Sequence, residues 1–285
     1  MRKSKDRRLK TRIIFFVLLL FTIHCSLFTA SNAESPKRII SLAPSITEIL
    51  FAAGLEDRIV GVTNFCDYPE QAKEKPKIGG IANPSLEAVV SLKPDIVVMT
   101  MDGNPREFQQ RLDAMGIKTY VFRSHRISEL PDGIRKIGIA LDEKKMFEDL
   151  ALRIEQSLDG FNTAKANTSG KMLFVIWPEP LIVAGPGTAI NDAINLLGGI
   201  NIAEDAKGRY PKYSIEEIIR RSPDVIFFGR GKGMDRISRK LLKRLSSVPA
   251  VKNKKVFYVS DSLYRLGPRV ISGLKELEEH LSKKK

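Results

Sequence analysis

Cysteine and histidine are scarce in this chain. Its 285 residues include 2 cysteines and 3 histidines, and Cys66 is the only cysteine beyond the first 33 residues. A disulfide within the rest of the chain is therefore excluded, and so is a closed zinc or manganese site built from several imidazoles. Carboxylates remain available to harder cations, but we expect neither a resident metal nor a cofactor.

Complete catalytic and nucleotide-binding motifs are also lacking. There is no Gly-x-Ser-x-Gly elbow. The loop "GPGTAIN" has Ile190 where a dinucleotide fingerprint has its third glycine, and "GRGKG" misses the spacing as well. Cys66 and His125 form the remaining candidate for nucleophilic catalysis, although Cys66 in "FCDYP" fits a small buried residue equally well. We expect that the protein is not an enzyme, with a secreted α/β enzyme as the remote alternative.

The N-terminal apolar run is short for a membrane span. Residues 1–12 carry seven basic residues and one acidic residue, and "IIFFVLLLF" follows at positions 13–21. A span needs about 20 predominantly apolar residues, so the pattern is typical of a signal peptide over residues 1–33, cleaved near Ala33. A periplasmic or secreted location follows. An uncleaved membrane anchor is the alternative, and His24 disfavours a lipid anchor at Cys25.

Positive charge remains in excess after this segment is removed. The formal charge of +14 falls to +8 without residues 1–33, and much of the remainder lies in residues 230–244 and the last three lysines. A basic stretch of this kind can bind nucleic acid. Export from the cytoplasm argues against that partner, and we interpret the stretch as the solvated face of an amphipathic helix.

Strand-like and helix-like segments alternate in two successive series, the pattern of a parallel α/β fold. The first series includes "RIISLAP", "RIVGVT", "DIVVM" and "KTYVF", and the second includes "KMLFVIWP", "VIFFG" and "KKVFYV". Residues 141–165 between them keep helical periodicity. We predict an N-terminal lobe over residues 37–140, a connecting helix over 141–167 and a C-terminal lobe over 170–285. Ser45 and Glu48 have the spacing of a capping box.

A duplicated segment links the two series. "SLEAVVSLKPDIVVM" begins at Ser85 and "SIEEIIRRSPDVIFF" begins at Ser214, which suggests an internal repeat. Both serines are predicted N-caps. Glu87 and Glu216 then occupy the second helical position, where the helix dipole favours a carboxylate, and Glu217 is predicted to complete a capping box with Ser214.

Aromatic residues and prolines follow several predicted strands. The stretches "TNFCDYP", "WPEP", "GRYPKY" and "DSLYRLGPR" all have this position. Ligands of parallel α/β folds bind beyond the carboxyl ends of strands, so these loops are predicted to face a shared cleft. Trp177 and Tyr68 are candidate ligand contacts on this ground. For Tyr68, packing against its own lobe is an equal alternative.

Five stretches in combination resemble the cobalamin and iron-siderophore binding proteins of bacterial ABC importers. They are "RIISLAPSITEILFAAG", "VGVTNFCDYPEQA", "SLEAVVSLKPDIVV", "SIEEIIRRSPDVIF" and "LYRLGPR". The resemblance implies two similar α/β lobes, each with a central parallel sheet flanked by helices, joined by a single long helix: the helical-backbone metal-receptor type of fold. It also implies a carrier that holds a bulky small-molecule ligand between the lobes and performs no reaction.

The same resemblance implies the ligand contacts. Phe65 and Tyr210 stand where cobalamin carriers have aromatic residues against the ligand, and Tyr264 and Arg265 align with the last pocket loop. Cobalamin is therefore the expected cargo. A second pocket tryptophan of those carriers has no counterpart in "KIGGIANPSLE".

Three arginine side chains are compatible with an anionic cargo instead of cobalamin. Arg209, Arg230 and Arg265 could pair with the carboxylates of a ferric siderophore or of haem. Both ligands remain alternatives to cobalamin.

An ABC permease dimer at the inner membrane is the partner that the resemblance implies. In the family, one acidic residue on each lobe meets arginines of the permease, and Glu87 and Glu216 occupy the matching positions. The two similar lobes would face the two similar halves of the permease, and a monomeric carrier is expected.

Overall fold

Two β-sheets with helices around them form the centre of the protein. The structure is a computed structural model that describes residues 35–163, 170–231 and 233–282, and from Pro36 onward these belong to one compact unit. The predicted signal peptide lies outside the described residues. No described helix combines the length and apolar character needed to cross a membrane.

The first sheet is entirely parallel, as predicted. Its strands β1 (Ile39–Ser41), β2 (Ile59–Val62), β3 (Ile96–Thr100) and β4 (Lys118–Phe122) pair in the order β2-β1-β3-β4. Consecutive residues such as Ile39 and Ile40 belong to core clusters on opposite faces of the sheet, which explains why these strands are apolar throughout. The helices of this first lobe are α1 (Pro44–Ala52), α2 (Leu86–Ser91), α3 (Arg106–Ala114) and α4 (Leu130–Ala140).

The second sheet is mixed. Its parallel strands β5 (Lys171–Pro178), β8 (Val225–Gly229) and β9 (Val256–Val259) pair in the order β5-β8-β9. On the other side of β5 lie β6 (Leu181–Val183), which is antiparallel to β5, and the two-residue β7 (Ile200–Asn201), which is parallel to it. Strand β6 departs from the parallel pattern, because two residues connect it to β5 and so short a connection forces a hairpin.

One long helix, α5 (Lys144–Thr163), connects the two sheets. It begins later than the predicted residue 141, because Asp142 has a positive φ of 55° and separates α5 from α4. Helix α4 was not predicted from the sequence. Phe147 and Ile154 of α5 share one core cluster with residues of both sheets. The helices of the second lobe are α6 (Ala189–Leu196), α7 (Ile215–Arg221), α8 (Met234–Arg244), α9 (Pro249–Lys252) and α10 (Val270–Ser282).

The duplicated segments have the same structure in both lobes. Ser85 and Ser214 cap α2 and α7, each accepting a hydrogen bond from a backbone N–H of the first turn at 3.2 and 3.0 Å. Asp95 accepts the N–H groups of Lys37 and Arg38, and Asp224 accepts that of Lys171. The Pro-Asp break therefore anchors the start of the neighbouring strand in each lobe.

Both predicted capping boxes are wrong. Helix α1 has Ala43 at its N-cap without a side-chain bond, because Pro44 suits the first helical position and places Ser45 inside the helix. Glu48 is buried and binds Arg269. The carboxylate of Glu217 accepts hydrogen bonds from Arg220 and Arg221.

Gly138 allows α4 and α5 to pack closely, and its replacement tests this contact. A Cβ at Gly138 would lie 2.5 Å from Cβ of Phe147, whereas a Cβ at Gly160 meets nothing within 4 Å. We predict that Gly138→Ala lowers the free energy of unfolding by about 1–3 kcal/mol. The control Gly160→Ala leaves it unchanged or raises it by up to about 1 kcal/mol. Urea unfolding measures both, and equal effects would contradict the close packing.

Candidate functional site

A cleft of about 340 Å³ lies between the two lobes. Its lining comes mainly from loops that follow parallel strands: Phe65 follows β2, Asp102 follows β3, His125 follows β4 and Arg265 follows β9. These loops meet because the carboxyl ends of parallel strands lie at one edge of each sheet. The volume is within the range of small-molecule sites.

Three aromatic side chains present exposed faces to the cleft. Phe65, Tyr210 and Tyr264 are 56%, 51% and 39% exposed. Phe65 belongs to the first lobe and both tyrosines belong to the second. Gly229 supports Tyr264, because a Cβ at Gly229 would lie 3.2 Å from the Tyr264 ring. The arrangement offers apolar contact from both sides of the cleft.

Two predicted ligand residues are not among the residues that line this cleft. The guanidinium of Arg269 lies over the ring of Tyr68, 4.3 Å from its centroid, so Tyr68 contacts the opposite lobe through a cation–π interaction. Trp177 lies near the end of β5, and its Nε1 donates to the carbonyl of Glu179 at 2.7 Å. Their role in ligand binding stays a prediction.

An ion pair crosses the cleft between Asp102 and Arg209. Asp102 of the first lobe accepts a hydrogen bond from Arg209 of the second, and its other oxygen lies 2.6 Å from Nδ1 of His125. The sequence reading did not select Asp102. Its place two residues after the end of β3, beside Gly103, was the available signal.

A second group of charges joins the lobes beside the cleft. We call it the interlobe cluster: Glu48, Asp67, Asp261, Arg265 and Arg269. Nη2 of Arg269 donates to Glu48 at 2.6 Å, and Arg265 pairs with Asp67 and, at 2.7 Å, with Asp261. A Cβ at Gly267 would lie 3.3 Å from the carbonyl of Ser45, so this glycine permits the close approach.

Glu48 has an unusual environment for a carboxylate. Its side chain is 2% exposed, and its Oε2 has no described hydrogen-bond partner. Burial raises the pKa of Glu48, although the neighbouring Arg269 and Arg265 act in the opposite direction. For Arg265 the charged partners outweigh burial, so its pKa is raised and it stays charged.

The two predicted docking glutamates differ from the adjacent Glu217 in their ion pairing. Glu87 and Glu216 are exposed in the first turns of α2 and α7, and neither forms an ion pair with a described residue. Glu217 is held by Arg220 and Arg221, whose hydrogen bonds lower its pKa to about 2. Glu87 and Glu216 are therefore available to an external cation.

The residues considered for catalysis are not brought together as a nucleophile and base. Sγ of Cys66 is buried and lies 3.0 and 3.2 Å from the hydroxyls of Thr47 and Thr63. His125 is bound to Asp102 instead. Within residues 35–163, 170–231 and 233–282, no group of three or more metal-ligating side chains is found.

Two similar α/β lobes with an aromatic cleft between them define a bilobal ligand-binding protein. Residues 39–263 match the profile of the Periplasmic binding protein family, and the chain belongs to this family. The resemblance inferred from the sequence is thus confirmed.

Individual relatives bind different ligands. The vitamin B12-binding protein of Vibrio parahaemolyticus is 29% identical over 267 residues, which cover 93% of this chain and 96% of the relative. The structure is similar to that of the vitamin B12-binding protein BtuF of Vibrio cholerae, with a TM-score of 0.76, 28% identity and coverage of 87% and 97%. It is also similar to the haem-binding protein RhuT of Roseiflexus sp. RS-1, with a TM-score of 0.79, 29% identity and coverage of 86% and 97%.

The raised pKa of Glu48 gives a pH-dependent stability. Between its ordinary pKa of 4.5 and its raised pKa in the folded protein, the folded protein retains a proton at this group that the unfolded chain has released. We therefore predict that the free energy of unfolding, relative to Glu48→Gln, falls as the pH rises from about 4.5 through the raised pKa. Urea unfolding of both proteins between about pH 4 and pH 8 measures this difference. A difference that grows with pH would contradict the prediction.

Proposed function

We propose that this protein captures cobalamin in the cleft between its lobes and delivers it to an ABC permease. It would act in the periplasm after removal of residues 1–33. The observation that carries the proposal is the pair of aromatic surfaces, Phe65 on one lobe and Tyr210 on the other, facing a shared cleft. Membership in a family of substrate-binding components of importers supports the same role.

The aromatic lining suits a broad ring system. Phe65, Tyr210 and Tyr264 expose large faces that can be covered with little loss of side-chain entropy. Partial desolvation raises the pKa values of Tyr210 and Tyr264, so both phenols stay neutral near pH 7. A planar or nearly planar macrocycle would bury these faces from both sides.

The charges around the cleft favour a cargo without carboxylates. Arg265 is the single arginine or lysine among the described residues that line the cleft, and it already pairs with Asp67 and Asp261. Arg209 is engaged by Asp102, so an anionic ligand would have to displace a carboxylate of the protein. Cobalamin carries amides around its ring, whereas haem carries two propionates. Haem and ferric siderophores are therefore the second choice for this cleft.

Calorimetric titration with cyanocobalamin, haemin and a ferric siderophore tests the cargo. We expect cyanocobalamin to bind most tightly, and Tyr210→Ala to weaken its binding about tenfold through lost ring contact. Met115→Ala is a matched control, because Met115 is 52% exposed, close to the 51% of Tyr210, but lies outside the lining of the cleft. Tighter binding of haemin, or equal losses in both variants, would contradict the proposal. Binding of none of the three, with turnover of another substrate, would favour the enzyme alternative.

We further infer that Glu87 and Glu216 contact basic residues of the permease. Each follows a serine N-cap in the duplicated segment and is exposed, so a permease with two similar halves would meet one carboxylate on each lobe. Exposed ion pairs contribute mainly to encounter rate and orientation. This geometry suits a monomeric carrier.

Uptake by cells that lack their own carrier tests this contact. The double change Glu87→Ala with Glu216→Ala is expected to lower initial cobalamin uptake about fivefold, without changing ligand affinity. Glu107→Ala is the matched control, since Glu107 is an exposed glutamate in the first turn of α3 and loses the same helix-dipole interaction. Normal uptake in the double variant would overturn the docking role.

A further inference from the structure

Helix α8 carries a dense positive stripe on its exposed side. Five basic residues are exposed along its 11 residues. At about 100° per residue, they fall within an arc of about 140° on one side of the helix. This basic stripe consists of Arg236, Arg239, Lys240, Lys243 and Arg244.

The other side of α8 is fixed in the protein core. Met234, Leu241 and Leu245 are at most 6% exposed and belong to the core cluster of the second lobe. The helix is therefore held with its basic stripe outward and has no apolar face left for insertion into a bilayer. A partner must be recognised by charge at the surface.

The charge of the stripe is largely uncompensated within the protein. Lys240 lies 3.3 Å from Glu179, and Arg239 donates to the backbone carbonyl of Asp235. Among described residues, no carboxylate pairs with the other members of the stripe. Four like charges kept on one short surface oppose one another unless an anionic partner covers them.

The surroundings of the stripe indicate what that partner is. Lys240 and Arg244 line the same surface depression, of about 280 Å³, as Ser214 and Glu216. Glu216 is the proposed contact with a permease embedded in a membrane, so the basic stripe would lie beside the membrane surface when that contact forms. No aromatic residue occurs in α8, whereas single-stranded nucleic acids are bound through stacking as well as charge.

We propose that the basic stripe of α8 binds the anionic headgroups of a phospholipid bilayer, beside the Glu216 docking contact. The location of this contact rests on the proposed delivery to a permease, but the lipid affinity itself requires neither cargo nor permease. Binding is superficial, reversible and sensitive to salt, because the charges lie in water within a Debye length of the headgroups. Its effect is to concentrate the carrier at the membrane.

Vesicle sedimentation tests the proposal with a chain that begins at Glu34, which retains the compact unit from Pro36 onward and lacks the apolar N-terminal run. We expect binding to phosphatidylglycerol vesicles at low salt and none to phosphatidylcholine vesicles. Arg236→Gln, Arg239→Gln and Lys243→Gln together should weaken it about a hundredfold, at about fivefold per charge. The matched control is Lys144→Gln, Lys145→Gln and Arg153→Gln, which removes the same charge from exposed positions of α5 and should change binding less than about threefold.

Several outcomes would overturn the proposal. Equal loss in the two triple variants would assign the binding to net charge alone, and absence of binding to anionic vesicles would remove it altogether. Binding of an oligonucleotide in preference to the vesicles, lost in the α8 variant, would assign the stripe to nucleic acid. If the α8 variant does not fold, hydrogen exchange of the unmodified chain decides: anionic vesicles should protect α8 and leave α5 unchanged. Normal cobalamin titration with failed vesicle binding would separate this proposal from the proposed function.

Discussion

The buried contact between Glu48 and Arg269 ties the two lobes together beside the cleft. A carboxylate that is 2% exposed is tolerated only when cations lie close to it, and both available cations, Arg269 and Arg265, come from the other lobe. The position of α1 is thus coupled to the loop that carries Arg265 and Leu266 into the cleft lining. Because Arg265 takes part in the same cluster, the charge of the cleft and the contact between lobes depend on one set of residues.

The duplicated segment explains why the two lobes share a capped helix and a strand anchor. The elements that they do not share lie around the proposed permease contact. The helices α2 and α7 have the same cap and the same strand anchor, so Glu87 and Glu216 occupy equivalent positions. Among the described residues, the second lobe adds the hairpin strand β6 and the basic helix α8 beside its glutamate. The lobes are therefore matched at the proposed permease contact and unequal around it.

Local sequence patterns predicted the serine caps and the strands apart from the two-residue β7. Apolar runs such as "VIFFG" are buried on both sides of a sheet, and a serine before a helix meets its own first turn, so both signals are local. The two predicted capping boxes do not form, because the carboxylates of Glu48 and Glu217 bind arginine side chains instead. For Glu48 that partner is 221 positions away, and no local spacing indicates it.

The candidate site was predicted only where a local pattern or the family resemblance marks a residue. Residues whose role depends on a distant partner were missed. Phe65, Tyr210, Tyr264 and Arg265 were found from strand-end loops and family resemblance, and all four line the cleft. Asp102 was missed because its significance depends on Arg209, 107 positions later. Tyr68 was predicted to contact the ligand or to pack on its own lobe. Its contact with Arg269 of the other lobe was not predicted, because it forms only when the lobes come together.

An aromatic cleft with internally paired charges should select a macrocycle that carries amides over one that carries carboxylates. A competition measures this directly: the protein is incubated with equal concentrations of cyanocobalamin and haemin, freed of unbound ligand by gel filtration, and examined by absorption spectroscopy. We expect the corrin bands of cobalamin in the protein fraction. A Soret band from retained haem, without corrin absorption, would contradict it.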